Sequence, residues 1–398
     1  MRRTDMTGSP HPQGAPAPGD RMALPASKGR RAGTGDQSQK PGIRRTVVTV
    51  ATQLARDLCR ERIQRLSRSS LDCESLQREV IADLQRVIGF DRWCLPHADP
   101  ATLLPGLGIA DHDYGPGLPR ALELEYSGAD FAAKHDVAQR PRLAISLGEE
   151  TGGDLARSPR WDEVLRPVGI GDIAAVACRD GSGCWGWIEA YRDASERPFS
   201  DDDLDLLAAA GSSMAVVMRR SVIGVRRAGP GRSDPPGVLV LDRELRPVSR
   251  TEAATRWIAA LPLAELFAMW GMLPAVIYPA ATLARGGDLA HAHALLPMDE
   301  GRWISIEAAP LDGARDGDIA VTIRTAGPAE TFAVVCRAHG LTQRETAVMG
   351  ALTPGLGTRE VASTLHISDW TVQDHLKSVF AKLGVHSRRE ALARLAGS

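Results

Sequence analysis

The sequence predicts a multidomain α+β chain: two mixed α/β domains followed by an all-α domain of four helices. Three observations lead there. At roughly 100–200 residues per domain, 398 residues make two or three domains. With 43% hydrophobic and 24% charged residues, the chain can bury real cores. Strand-like stretches alternate with helical ones up to about residue 325, whereas spacing after residue 341 is helical throughout.

Residues 1–45 carry nine Lys/Arg and three Asp/Glu in a Pro/Gly/Ser-rich stretch without apolar periodicity, and read as a disordered basic tail. Residues 46–222 read as the first domain. Two helices are expected at 47–68 and 71–87, the second with Leu76, Val80, Leu84 and Val87 on one face. Ile-Ala-Ala-Val-Ala-Cys at 173–178, a Gly-rich turn, and Cys-Trp-Gly-Trp-Ile-Glu-Ala-Tyr at 184–191 predict a β-hairpin. Ser200 can cap a helix over 201–220, with Asp203 at the capping-box position and Phe199 stapled to Leu204. Gly and Pro then mark a linker at 223–236.

In the second domain, 237–325, two short strands turn near residues 242–244 and a helix follows over 251–261. Trp-Ile-Ser-Ile-Glu at 303–307 and Ile-Ala-Val-Thr-Ile at 319–323 are further strands. Residues 266–284 lack charge, but Pro274 and Pro279 interrupt them and no basic cluster orients them, so no membrane span is expected. His291 and His293 have no ligand-spaced partners and read as exposed loop residues; no metal or cofactor is expected.

A second linker is expected at 326–340, and the last domain at 341–398. Thr342 and Glu345 form a T-x-x-E capping box before a first helix, which Pro354 and Gly355 end. A short helix spans 358–365, His366 and Ile367 turn, and Ser368 caps a third helix over 369–383. Val372, Leu376, Val379 and Leu383 share its buried face, leaving Trp370, Gln373, Asp374, Lys377 and Ala381 opposite. A helix, a tight turn and a second helix with a polar face is the geometry that enters a major groove.

The residues from Leu341-Thr-x-Arg-Glu345 through Arg359-Glu-Val-Ala362, Thr371-Val372 and Lys382-Leu-Gly-Val385 to Ser387-Arg388 resemble the LuxR-type helix-turn-helix family. The resemblance implies a third helix that reads duplex DNA and a fourth, over 388–395, that makes a dimer. By position, Gln373, Asp374 and Lys377 match base-facing residues, and Thr371 and Lys382 would touch phosphate. Trp370, His375 and Arg388 complete the candidate DNA-binding set. Gly357 departs from the family's Ser or Thr cap. Residues 50–220 resemble a GAF sensor domain and 236–325 a PAS domain, although the Asn-Lys-x-Asp-Glu signature that some GAF domains use for cyclic nucleotides is not apparent.

These features imply a sequence-specific transcription regulator whose front domains sense a small molecule or a partner. The alternative is a non-sensing dimeric adaptor that binds DNA and recruits RNA polymerase. No P-loop, nucleophile elbow or H-E-x-x-H occurs, so no enzyme is expected. Six scattered cysteines without a C-x-x-C pair suit a cytoplasmic protein, with Cys178 and Cys184 as small strand hydrophobes. The formal net charge of −1 conceals a +6 tail, a +2 reader at 341–398 and −9 between them. An acidic body is repelled by DNA, which limits non-specific binding.

Overall fold

The computed structural model describes residues 41–111, 115–224, 234–298, 301–312 and 317–396, with 41–51 as helical backbone alone. Most of the expected basic tail and of the first linker lies outside the described residues. The chain divides into two compact units, Met1–Val48 and Thr49–Ser398, and the second holds both sheets and the C-terminal helices.

Among the described residues, helices α1 (Pro41–Leu66) and α2 (Cys73–Ile88) come first, so residues 41–45, expected in the tail, are helical. Strands β1 (Arg92–Ala98) and β2 (Pro105–Ala110) follow, then α3 (Leu118–Tyr126), α4 (Lys134–Gln139), β3 (Ala144–Ser146) and α5 (Leu147–Glu150). The expected hairpin is β4 (Ile170–Asp180) and β5 (Gly183–Asp193), and α6 (Asp201–Gly224) closes the domain. These strands form one antiparallel sheet in the order β2-β1-β5-β4-β3.

Both faces of this sheet are covered, and so the β4 sequence is an unbroken apolar run without alternation. Ala174, Val176 and Cys178 face α2 and α6, whereas Ile173, Ala175 and Ala177 face the opposite core. The Cys-Trp-Gly-Trp segment works through a bulge. Cys178 pairs with Gly186 and Arg179 with Cys184, leaving Trp185 as the extra residue. Trp185 therefore packs on the α6 side and Trp187 on the other, where its indole donates to the Lys134 carbonyl at 3.1 Å. A Cβ at Gly186 would lie 2.6 Å from both the Pro96 carbonyl and the Met218 sulfur, so only glycine fits between the two tryptophans.

The α6 start agrees with its sequence signals. Ser200 N–H donates to Asp203 Oδ2 at 3.1 Å, and Phe199 and Leu204 share one core. Asp203 also accepts from Arg56 at 2.6 Å and Arg197 at 2.7 Å, which the capping pattern did not reveal. Although α6 is long and apolar enough to cross a membrane, half of its most apolar window is buried and it packs on β4 and β5 as a core helix.

The second sheet comprises β6 (Gly237–Leu241), β7 (Pro247–Arg250), β8 (His293–Pro297), β9 (Trp303–Pro310) and β10 (Ile319–Thr325), in the order β7-β6-β10-β9-β8. Numbered within its own domain, each sheet runs 2-1-5-4-3. Helices α7 (Glu252–Ala259), α8 (Ala264–Met269) and α9 (Ile277–Arg285) lie between β7 and β8, and α7 and α9 cover one face. Pro274 falls between α8 and α9, so the uncharged run at 266–284 is two short helices. His293 is not a loop residue: it begins β8, while exposed His291 faces Asp288 at 2.9 Å.

The sheets meet along β2 and β8. A Cβ at Gly106 would come within 2.8 Å of the Leu296 side chain, which explains a glycine inside a strand. Leu295 N–H donates to buried Asp99 at 2.8 Å, and Arg285 reaches Glu123 at 2.6 Å.

The expected linker at 326–340 is instead largely helix α10 (Pro328–Ala338). Gly327 sits at its N-cap, Pro328 at its first position, and Glu330 reaches back to the Gly327 N–H at 2.5 Å. These Gly and Pro residues start a helix, although the same pair read alone suggests a break. Thr331, Val334, Cys336 and Ala338 bury its inner face. Arg219 of α6 donates to the Ala338 carbonyl at 2.8 Å, and Arg337 donates to the Pro100 carbonyl, fastening α10 to the first domain.

Candidate nucleic-acid interface

The C-terminal domain consists of α11 (Gln343–Leu352), α12 (Thr358–Leu365), α13 (Asp369–Leu383) and α14 (Arg388–Ala396), as the sequence predicts. Each start is capped locally. Thr342 Oγ1 accepts from the Glu345 N–H at 3.2 Å while Glu345 Oε2 accepts from the Thr342 N–H at 2.7 Å. Glu360 reaches the Gly357 N–H at 2.6 Å, so glycine serves as the α12 cap. Ser368 Oγ accepts from the Thr371 N–H at 3.1 Å.

The turn between α12 and α13 is short because His366 takes a left-handed φ of 53°. Ile367 N–H then donates to the Ala362 carbonyl at 3.0 Å, closing α12. Val372, Leu376, Val379 and Leu383 are all buried among α11, α12 and α14, which fixes the roll of α13 about its axis.

That roll places the candidate residues. Trp370 is 76% exposed, and Gln373, Asp374 and Lys377 are exposed on the same side. Thr371 and His375 are half-buried at its edge, with Thr371 Oγ1 at 2.8 Å from Ser368 Oγ. Two other candidates serve the fold. The Lys382 ammonium donates to Glu345 Oε2 at 2.7 Å, and Arg388 donates to Thr358 Oγ1, tying α14 to the start of α12. Sequence reading passed over Arg359, whose side chain is 93% exposed at the first turn of α12, 3.6 Å from Asp369. Its position at a helix N-terminus was the available signal.

Glu345 holds α11 against α13. It accepts from Lys382, from Ser378 at 2.7 Å and from its own cap. Burial opposes its charge, but these donors outweigh that effect and hold the carboxyl at about 2, against an ordinary 4.5. Because the folded carboxyl binds its proton more weakly than the unfolded one, its stabilisation is complete above about 4.5 and is lost as pH falls towards about 2. Circular dichroism is expected to show the native protein losing helix across that window, with a shallower slope for Glu345→Gln. Superimposable acid titrations would contradict this role.

Comparison with known proteins bears on this domain. The family described as bacterial regulatory proteins, luxR family, matches residues 339–395. The spore germination protein GerE of Bacillus subtilis is 42% identical over 55 residues, 14% of this chain and 74% of that protein. A probable HTH-type transcriptional regulator of Streptomyces halstedii, GfsR, is 39% identical over 57 residues, 14% of this chain. The B. subtilis transcriptional regulatory protein LnrK is 39% identical over 51 residues. The chain spans only 24% and 23% of these last two. Escherichia coli SdiA aligns over 86% of this chain and 96% of its own at 14% identity, with a TM-score of 0.28. A superposition that loose says nothing of a shared arrangement or ligand.

Proposed function

Because the chain belongs to the luxR family of bacterial regulatory proteins, we propose that it is a sequence-specific transcription regulator that inserts α13 into the major groove of duplex DNA. The observation that carries this reading is the outward face of α13. There Gln373, Asp374 and Lys377 stand exposed on a helix whose opposite face is locked in the core. Gln373 suits adenine N6 and N7, Asp374 accepts from cytosine N4, and Lys377 donates to guanine O6 or N7. Arg359 and Trp370 flank that face and are placed for phosphate and sugar. Thr371 and His375 at its edge, and Lys382 and Arg388 if they exchange partners, are secondary contacts.

The two front domains act as sensors in this reading, the first GAF-like and the second PAS-like. The common 2-1-5-4-3 strand order of their sheets supports that assignment. The regulator works as a homodimer in the cytoplasm, with α14 at the dimer seam and RNA polymerase as its downstream partner. In vitro selection with the full-length protein tests the whole, because half-site spacing reports the dimer. On the selected site, Lys377→Ala is expected to weaken binding about 5- to 150-fold, the equivalent of about 1–3 kcal/mol. Asp374→Ala is expected to raise binding to random duplex and relax one base pair. Unchanged gel shifts for both variants would remove this face from the DNA.

A further inference from the structure

Between the first sheet and the α8 region of the second domain lies a cavity of about 190 Å³. One wall is built by β2 and by Leu118, Ala121 and Leu122 of α3; the facing wall is Leu266, Phe267 and Val276. Cavities of about 150 Å³ admit benzene, so this one holds a body of roughly six to eight non-hydrogen atoms.

One end is polar and belongs to a buried ionic network. Lys134 Nζ lies 3.0 Å from Glu125 and 2.8 Å from Glu189, and Arg160 pairs with Glu125 at 3.1 Å and Asp130 at 2.6 Å. All five side chains are at most 5% exposed. Two cations against three carboxylates leave one formal negative charge. Burial opposes charge on Glu189, but Lys134 and Arg160 outweigh it and keep its carboxyl well below the ordinary carboxylate range. Glu189 Oε2 accepts from the Cys94 thiol at 3.0 Å and the Tyr191 hydroxyl at 3.0 Å, whereas its Oε1 faces Lys134. Beside Glu125, the Tyr126 hydroxyl is buried without a hydrogen-bond partner. The polar end presents the carboxylates of Glu125 and Glu189 together with Lys134 and Arg160, and Asp130 behind Arg160 brings the network to one net negative charge, which penalises a further anion.

The α8 wall is the most loosely packed part of the lining. No residue of α8 is buried, and Leu263 at its N-cap carries a left-handed φ of 62° that a branched side chain rarely adopts. Met269, the last residue of α8, and Trp270 after it are 75% and 47% exposed. Few buried contacts hold this segment closed.

We propose that this seam binds a small apolar molecule with a hydrogen-bond-donating head, hydroxyl or ammonium, its chain against α3 and α8 and its head towards Glu189. The proposal rests on the sensor reading of the front domains, and it makes their seam the sensing site. Isothermal titration of the full-length protein with hexylamine, 1-hexanol and hexanoate at pH 7 tests it. Hexylamine and hexanol are expected to bind, with hexanoate at least tenfold weaker. Ala121→Phe fills the cavity from one wall and Ala275→Phe from the other, and whichever folds natively by circular dichroism should lose binding at least tenfold. No binding of either donor-headed probe, hexanoate binding as tightly as hexanol, or binding untouched by a folded filling variant would each overturn it. Duplex binding by the same samples without probe reads the regulator assignment separately, since the filling variants leave α13 intact.

Discussion

Replacing Lys134 with Met is expected to destabilise the protein by about 3–5 kcal/mol, the usual cost of removing one partner from a buried ionic network. The side chain is nearly isosteric, so packing changes little; the loss comes from charge. Without the ammonium, Glu125 and Glu189 confront each other in a buried site, with Arg160 paired to Glu125 and Asp130 and hydrogen-bonded to the Phe131 carbonyl at 3.1 Å. One of the two carboxyls must then take up a proton at neutral pH, and its pKa rises accordingly. The deficit should therefore shrink as pH falls from 7 to 5, opposite to the behaviour of the Glu345 site. Adding Glu189→Gln to Lys134→Met removes one uncompensated charge and should recover part of the loss, a coupling that a double-mutant cycle reads directly. Urea unfolding at pH 7 and pH 5 measures both effects. A loss below 1 kcal/mol, or one that does not depend on pH, would mean that water reaches the network.

The contrast between this network and the C-terminal domain shows what sequence can carry. The caps at Thr342 and Ser368 and the i, i+4, i+7 spacing of Val372, Leu376 and Val379 are local, so the helices were legible within a residue or two. Glu125, Lys134, Arg160 and Glu189 lie on separate segments, and each alone looks like a surface charge. Only the pairing of β1 with β5, and α3 beside them, makes them one site. Strands β1 and β2 escaped because Pro96, Pro105, Gly106 and Gly108 interrupt any alternation; β2 is an edge strand, where such residues are tolerated. Trp185 and Trp187, two positions apart in one strand, lie on opposite faces because of a bulge that side-chain spacing alone does not show. Within α13, the outward face was legible, but the Lys382 contact to Glu345 spans 37 residues and left no local trace.

The second large effect is expected from Leu376→Ala. Leu376 is 2% exposed at the centre of the small core shared by α11 to α14. Truncating a buried leucine costs about 2–5 kcal/mol. A domain of some 58 residues at about 0.05–0.15 kcal/mol per residue has only about 3–9 kcal/mol to lose, so a large share of these domains should be unfolded near 37 °C. Duplex binding is then expected to fall at least tenfold at that temperature, while the two-sheet body keeps its own thermal transition. Gln373→Ala, three residues earlier on the opposite side of the same helix, provides the contrast. It should alter stability by less than about 0.5 kcal/mol, as exposed substitutions do, yet weaken binding to the selected site. Differential scanning calorimetry alongside fluorescence anisotropy separates the two variants: one loses DNA by unfolding, the other by removing a contact. If Gln373→Ala destabilised the domain as strongly as Leu376→Ala, α13 would be buried on both faces and could not be the helix that enters the groove.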